Sequence, residues 1–483
     1  MYILAIDQGT TGTTTILYDQ AGRVAARAYR EISQYYPKPG WVEHDAMDIW
    51  RSVVSSVEEV CAAYAGKIAA VGITNQRETT VLWNRKTGEP VHNAIVWQCR
   101  RTAEFCDQIK RHESLIRERT GLPLDAYFSG TKIRWILENV ETGAPDELLF
   151  GTVDSWLIWN LTGGAVHATD YTNASRTLLF DIHERRWSKR HAELLGVPMS
   201  LLPEVRPSIA EFGKVSSIPA LNGVPVSAVA GDQQAALFGQ GCFKPGEIKN
   251  TYGTGGFAVM NTGQQAIHSE RGLLTTLAID ATGAPCYALE GAVFVAGAAV
   301  QWLRDELGLI ETAADSEALA GMLDDNGGVY LVPAFVGLGA PYWNMQARGT
   351  LTGMTRGTNR NHIVRAALES MAYQTADIIQ LMEQESHTSV QALSVDGGAC
   401  ANNFLMQFQA DILNKPVVRP KFIESTSVGV ACMAGLAAGL WMNIESLPDI
   451  KQIDREFKPS MPGSQRWQYL NGWRHAVRQC LAE

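Results

Sequence analysis

The sequence predicts an α/β fold in two domains around a central cleft, and three observations carry that prediction. Apolar, β-branched runs alternate with amphipathic helical stretches in the βαβ order of such folds. A Gly/Thr turn between two strands occurs near the N-terminus and again about 240 residues later, as a duplicated unit would place it. Between them, Val224–Ala230 reads as a buried strand ended by Gly231 and followed by Asp232, Gln233 and Gln234. At 483 residues the chain is long enough for two large domains, or three small ones, each with its own core.

Composition narrows the class. Hydrophobic residues make up 46% and charged residues 19%, as in ordinary soluble proteins. A net charge of −9, with no overriding Lys/Arg cluster, argues against a nucleic-acid partner. The eight cysteines form no CxxC pair and have no zinc-type His spacing, which suits a reducing, cytoplasmic setting. Tyr2–Ile6 reaches Asp7 at once, too short for a signal peptide, and no apolar run approaches ~18 residues, so no membrane insertion is expected.

In order, Tyr2–Ile6 and Thr13–Tyr18 are strands joined by Asp7-Gln8-Gly9-Thr10-Thr11-Gly12. Backbone N–H groups and Thr hydroxyls in such a turn suit a phosphate, and Asp7 suits a metal through water; taken alone, the turn reads more simply as a plain hairpin tip. Ile49, Trp50, Val53, Val54, Val57, Val60, Cys61 and Tyr64 recur at helical spacing across Asp48–Ala65. Strand Ile68–Ile73 runs into Thr74–Thr79, and Thr80–Trp83 and Ala94–Trp97 follow as strands. Arg77, Glu78 and Trp97 thus fall at strand ends, where ligands gather in α/β sheets. Tyr127 precedes a helix expected near Lys132, Thr152–Leu161 is a Trp-rich core helix, and Asp170–Arg176 is an unassigned polar loop. At the midpoint, Asp232 is placed either to act as a base toward a hydroxyl or to cap the helix that follows.

The second half repeats the design. Ile248–Asn250 and Phe257–Met260 flank Thr251-Tyr252-Gly253-Thr254-Gly255-Gly256. Helices are expected at Val293–Leu303, Asn361–Glu385 and Val428–Leu440. Leu393–Val395 runs into Asp396-Gly397-Gly398-Ala399 and then helix Asn402–Leu413, a strand–Gly-Gly–helix unit open to a nucleotide. The tail beyond Met442 reads as peripheral, closing in a helix near Trp467–Leu481. Two phosphate hairpins, a Gly-Gly turn and a midpoint carboxylate together describe a phosphotransferase of two duplicated actin-like (ribonuclease H-like) domains. Their expected bounds are 1–245, with the substrate site and first phosphate loop, and 246–483, with the nucleotide site.

These residues resemble the FGGY family of carbohydrate kinases, which includes xylulose and gluconate kinases. The resemblance runs nearly end to end. Its most specific stretches are Tyr36–Asp45, Thr74–Thr80, Ala94–Thr102, Asp170–Arg176, Ala230–Gly239 and Asn250–Thr254. TNQRETT and WQCRR narrow it to the members that phosphorylate glycerol, in glycerol catabolism; a kinase for another small polyol or sugar is the alternative. The resemblance implies Asp232 as the base and Arg77, Glu78, Tyr127, Asp232 and Gln233 as the hydroxyl-binding set, with Trp97 lining the carbon chain. It implies Thr10, Thr11, Gly12, Thr254, Gly297, Gln301, Gly398 and Asn402 as nucleotide contacts, and Asp7 as a water-mediated contact to Mg²⁺. The expected partners are glycerol and MgATP, with self-association into a homo-oligomer.

Two departures stand out. Thr14 occupies a place where the best-known bacterial members carry an arginine. Some of those members are also inhibited by fructose 1,6-bisphosphate, through a basic, Gly-rich loop just before the central strand. Here that place is Ser216–Pro225, with one glycine, Gly223, and no Lys or Arg from Val215 to Phe243. Pro219 and Pro225 remove two further donors. A bisphosphate needs cations or several free N–H groups to replace its hydration. Millimolar fructose 1,6-bisphosphate should therefore leave the rate unchanged. A saturable loss of rate at constant free Mg²⁺ and ionic strength would show that another surface binds it.

Overall fold

The structure, a computed structural model, describes residues 1–448 and 452–481. Two sheets organise it. The first contains β1 (Tyr2–Gln8), β2 (Gly12–Asp19), β3 (Val24–Glu31), β4 (Ile68–Asn75) and β5 (Val226–Gly231), in the order β5-β4-β1-β2-β3. The second contains β6 (Ile248–Tyr252), β7 (Gly256–Gly263), β8 (Leu274–Ile279), β9 (Pro285–Val293), β10 (Leu393–Asp396), β11 (Val417–Pro420) and β12 (Ile453–Phe457), in the order β8-β9-β7-β6-β10-β11-β12.

The duplication suggested by the two hairpins is present in the topology. β1 pairs antiparallel with β2 and parallel with β4, which pairs parallel with β5. β6 pairs antiparallel with β7 and parallel with β10, which pairs parallel with β11. β3 and β9 complete the two units as antiparallel neighbours of β2 and β7. Only β8 and β12, at the edges of the second sheet, lie outside the repeat.

Period-2 alternation gives the first sheet two apolar faces. Leu4 and Ile6 pack with Ile49, Val53 and Val57 of α1 (Ala46–Cys61), while Ile3 and Ala5 pack with Val430–Ala434 on the opposite face. Asp45 caps α1 by accepting from the Met47 N–H at 2.7 Å. The threonines of β2 have partners in the same helix: Thr13 and Thr15 bond the Ser52 and Ser56 hydroxyls at 2.7 Å each. A Thr-rich strand is thereby buried without stranding its hydroxyls.

Several boundaries differ from the sequence expectation. α2 begins at Ser129 and ends at Asn139, not near Lys132, because Ser129 and Lys132 both turn inward to bond the Glu78 carbonyl. The expected helix Thr152–Leu161 is α3 (Val153–Leu161). Ala94–Trp97 shortens to a two-residue strand, Ala94–Ile95, paired with Glu43–His44. α4 (Asp232–Gly239) starts directly after β5, and α5 (Gly297–Asp305) starts later than expected because Val293 ends β9. α6 (Arg360–Ser386) and α7 (Asn403–Leu413) fall close to their expected ranges.

The tail is not peripheral. β12 pairs with β11, and α9 (Gly463–Leu481) buries Tyr469, Trp473 and Val477 in the second core. Trp473 stacks on Tyr373 at 5.2 Å between centroids and donates from Nε1 to Asp377 Oδ2 at 2.7 Å. Its apolar residues are spread among charges over a full 19-residue helix, so a short-range pattern understates their burial.

The two halves are also joined through α8 (Ser425–Ala437), which returns from the second half to lie on the first sheet and against α4. Only glycine fits that crossing. A Cβ at Gly429 would lie 1.9 Å from the Ala235 carbonyl oxygen, and one at Gly239 would lie 2.1 Å from that of Ser425. Backbone is met on both sides, so neither contact relaxes by a rotamer change. Gly429→Ala should therefore destabilise the fold by about 1–3 kcal/mol. Gly321→Ala, whose Cβ meets nothing within 4 Å, is the control. Equal melting temperatures for the two variants would disprove the close crossing.

Candidate active site

The C-terminal ends of β4 and β5 lie side by side at one edge of the first sheet, where β5 breaks at Gly231 into α4. Gly231 holds the cap position and has no side chain to contribute, so Asp232 is the first helical residue rather than the cap. Its Oδ1 accepts the Gln233 N–H at 2.7 Å and faces Arg77 Nε at 3.2 Å. Among the described residues, Oδ2 has no protein donor and the side chain is 29% exposed. One oxygen thus serves the helix terminus and the guanidinium, and the other has no protein donor among the described residues.

Arg77 sits in a buried ionic cluster. Its Nη1 and Nη2 donate to the two oxygens of Glu290 at 2.6 and 3.0 Å, and Nη1 also reaches Gln234 Oε1 at 3.3 Å. Arg176 donates from Nε to Glu78 Oε1 at 2.6 Å and from Nη2 to Glu290 Oε1 at 3.0 Å. Arg176 Nη1 is buried and has no partner among the described residues. Burial alone would raise Glu290, but Arg176 and Arg77 hold it down at about 2. Glu78 moves the other way, raised because burial outweighs its two arginines. Its backbone is left-handed, with φ +61°, a conformation a non-glycine residue adopts only when its surroundings enforce it. Ser129 Oγ at 3.0 Å and Lys132 Nζ at 3.3 Å do so by bonding its carbonyl.

Around this cluster the other expected side chains converge. Tyr127 is anchored by Lys132, whose buried ammonium donates to the Tyr127 carbonyl at 2.5 Å and is pushed down to about 8 by desolvation. The Trp97 ring meets Tyr127 edge-on at 5.6 Å and Phe257 of β7 at 6.2 Å. Its indole N–H donates to Thr10 Oγ1 at 2.9 Å, tying the aromatic wall to the first hairpin tip. Gln233 Oε1 accepts from the buried ammonium of Lys249, which also donates to Thr251 Oγ1 at 2.7 Å and the Phe257 carbonyl at 3.2 Å.

The two hairpin tips share one design. Gly9 N–H closes on the Gly12 carbonyl and Gly253 N–H on that of Gly255, each at 2.9 Å. Among the described residues this leaves the N–H groups of Thr10, Thr11, Thr254 and Gly255 without an acceptor. Thr254, Gly297, Gln301, Gly398 and Asn402 line a single cavity of about 400 Å³. Thr10, Thr11 and Gly12 are not part of its lining; they belong to the opposite hairpin, beside Trp97.

Asp7 pairs in register with Thr14 across β1 and β2, so both side chains share one face. Among the described residues no group of three or more His, Cys, Asp or Glu side chains forms a metal cage. Asp7 nevertheless feels uncompensated charge. Burial first, then Asp232 and Glu424, raises it to about 7. Hard carboxylate oxygens with unrelieved negative charge suit Mg²⁺, which binds through one or two carboxylates plus water and phosphate oxygens.

Sequence reasoning missed Arg176, Glu290, Lys132 and Lys249. Arg176 closes the DYTNASR stretch, which is a strand end and helix (Tyr171–Ala174) capped by Asp170, whose carboxylate accepts the Thr172 and Asn173 N–H groups at 2.9 Å each. In the Ser216–Pro225 loop, the N–H groups of Ser216, Ser217, Leu221, Asn222, Gly223 and Val224 already donate to backbone carbonyls.

Models of the FGGY family of carbohydrate kinases match residues 2–239 (N-terminal domain) and 248–438 (C-terminal domain). The chain is 55% identical over 489 residues to a protein named glycerol kinase 2 from Thermotoga maritima, covering 99% of each. It is 56% identical over 487 residues to glycerol kinase from Carboxydothermus hydrogenoformans, covering 99% of this chain and 97% of that one. The crystal structure of Plasmodium falciparum glycerol kinase with ADP superposes with a TM-score of 0.92 at 35% identity, covering 100% of this chain and 98% of that one. Xylulose kinase from Lactobacillus acidophilus has the same fold, with a TM-score of 0.88 at 22% identity, covering 99% and 97%.

Asp7 yields a prediction that needs no ligand. Between its ordinary value of 3.8 and about 7, the folded chain holds the Asp7 proton that the unfolded chain has lost. Stability contributed by this group therefore falls as pH rises through that window. Asp7→Asn should melt several degrees above the natural chain near pH 8 and level with it near pH 4. A difference that does not change with pH would show that Asp7 carries no such cost.

Proposed function

Because the chain belongs to the FGGY family of carbohydrate kinases, we propose that it transfers the γ-phosphoryl group of ATP to a terminal hydroxyl of glycerol, giving sn-glycerol 3-phosphate and ADP. The observation that supports this reading is the grouping of Arg77, Glu78, Trp97, Tyr127, Asp232 and Gln233 in contacts around one buried ionic cluster. A compact triol needs several donors and acceptors around a small apolar backbone, and that is the chemistry assembled.

Each side chain has capacity to spare for a hydroxyl. A guanidinium has five N–H groups; Glu290 and Gln234 accept three of those on Arg77, Nε lies 3.2 Å from Asp232 Oδ1 in an ion pair, and one on Nη2 is left. Glu78 retains Oε2 as an acceptor, because Arg176 Nε takes Oε1. Gln233 retains its NH₂ group, because Lys249 holds the amide oxygen. Tyr127 supplies its hydroxyl, and Trp97 covers the carbon chain. A site that pairs every hydroxyl rejects an analogue lacking one, because its own groups are then left unpaired.

In the transfer, Asp232 Oδ2 removes the proton from the attacking hydroxyl. The hydroxyl oxygen of glycerol bonds to the γ-phosphorus as the bond to the bridging oxygen of ADP breaks. The hairpin tips at Thr10–Gly12 and Thr254 offer N–H and hydroxyl donors to the phosphates. Gly297, Gln301, Gly398 and Asn402 line the space for the rest of the nucleotide. Asp7 would hold Mg²⁺ through water; that ion supplies neutralisation of phosphate charge. Thr14 faces Asp7 with a neutral hydroxyl.

With MgATP, glycerol should exceed xylulose, gluconate and erythritol in kcat/KM, and a higher value for any of the three would move the assignment to that substrate. Asp232→Asn keeps the shape but cannot accept the proton, so kcat should fall ~10²–10⁴-fold with glycerol affinity little changed. Activity within a few-fold of the natural chain would reduce Asp232 to a helix-terminus residue.

A further inference from the structure

Two side chains that reach the glycerol site from the second half of the chain have no role in the reaction described above. Lys249 on β6 pairs in register with Val259 on β7, and Val259 with Glu290 on β9. Directly opposed residues point to the same face of a sheet. One row of the second sheet therefore presents an ammonium, an isopropyl group and a carboxylate to the first half of the chain. Val259 packs against Leu237 of α4. Glu290 clamps Arg77 and Arg176, and Lys249 takes Gln233.

We propose that Lys249 and Glu290 are positioning residues: this row of the second sheet sets the donor directions of Arg77 and Gln233, so the glycerol site is complete only when the two halves are apposed. The inference rests on the glycerol reading given above. An ammonium has three N–H groups and no acceptor. Those of Lys249 are taken by Gln233, Thr251 and the Phe257 carbonyl, so none is left for substrate. Its effect is on the Gln233 amide. Only the amide oxygen can face an ammonium, so the NH₂ group must face the site, and Gln233 is fixed as a donor. Glu290 acts likewise on Arg77. A bidentate carboxylate fixes the guanidinium plane, which aims the remaining Nη2 hydrogen. Both groups are 0% exposed and lie behind the residues they orient.

Glycerol phosphorylation by the natural chain is measured first; its absence would refute the glycerol reading and leave the packing of the row unaltered. Lys249→Met and Glu290→Gln are then assayed, with Lys249→Arg and Glu290→Asp as milder changes that keep the charge but misplace it, should either of the first pair fail to fold. Each folded variant should raise the glycerol KM at least tenfold while the ATP KM and directly measured ADP affinity stay within twofold. Gln233→Glu, which keeps the bond to Lys249 but loses the NH₂ group, should raise the glycerol KM by a similar factor. A glycerol KM within twofold of the natural value in any folded variant would overturn the proposal. So would parallel changes in glycerol and nucleotide constants, which would mark the row as scaffold.

Discussion

Glu290 is the point on which the site depends. A carboxylate with no exposure stays charged only where cations surround it, and Arg77 and Arg176 both bond it. Glu78 completes a cluster of two guanidinium and two carboxylate groups, neutral as a set. Desolvating four charges gains little net stability, and apolar residues of similar volume would often serve stability as well or better. Removing one member is different: an uncompensated buried charge costs about 3–5 kcal/mol. The cluster thus contributes orientation. It locks Arg77 and Glu78, the side chains proposed to meet substrate, with bonds of 2.6–3.0 Å, and it does so across the two halves of the chain.

That constraint explains three polar residues at the start of α4. Asp232, Gln233 and Gln234 would burden a helix whose first turn packed only against apolar side chains. Here each finds a separate partner: Asp232 has Arg77, Gln233 has Lys249, and Gln234 bonds Thr276 and the Leu277 carbonyl on β8. The left-handed backbone at Glu78 belongs to the same logic. Strain persists where neighbours over-determine it, and Lys132, itself at a desolvation cost, bonds the backbone of both Glu78 and Tyr127.

How much of this the sequence revealed follows from where the information lies. The hairpins, the β5–α4 turn and the strand–Gly-Gly–helix unit are local, so period and turn chemistry place them within a few residues. Arg77, Glu78 and Asp232 stand at strand ends, where ligands gather in α/β sheets, but position alone fits a solvated turn or a helix cap equally, and the motifs around them decide. Arg176 and Glu290 are 114 residues apart, and Arg77 and Glu290 are 213 apart. No short-range pattern encodes such a pairing, and Glu290 sits inside an otherwise apolar strand. Lys249 is similar: beside a Gly/Thr turn it looks like a solvated lysine until the sheet register places it behind Gln233. The tail failed for another reason. A helix that buries only one narrow stripe against a large core reads as surface when its partner is unknown.

In the proposed reaction the duplicated sheet lets one framework serve two unlike ligands. β4 and β10 occupy the same place in the two units, each running parallel beside the hairpin's first strand. Beyond β4 come Arg77 and Glu78; beyond β10 come Gly397 and Gly398. At Gly397, with φ +84°, a Cβ would lie 2.6 Å from the Tyr252 carbonyl oxygen, so the chain closes on the second hairpin only without a side chain. At Gly398 a Cβ would meet nothing within 4 Å, and the open space beside it is the cavity. A triol has to be bound by side chains, because its hydroxyls point in several directions and each needs its own partner. A nucleotide is held largely by backbone N–H groups and a fitted surface, which side chains would obstruct. The same strand end therefore carries charged side chains in one half and none in the other.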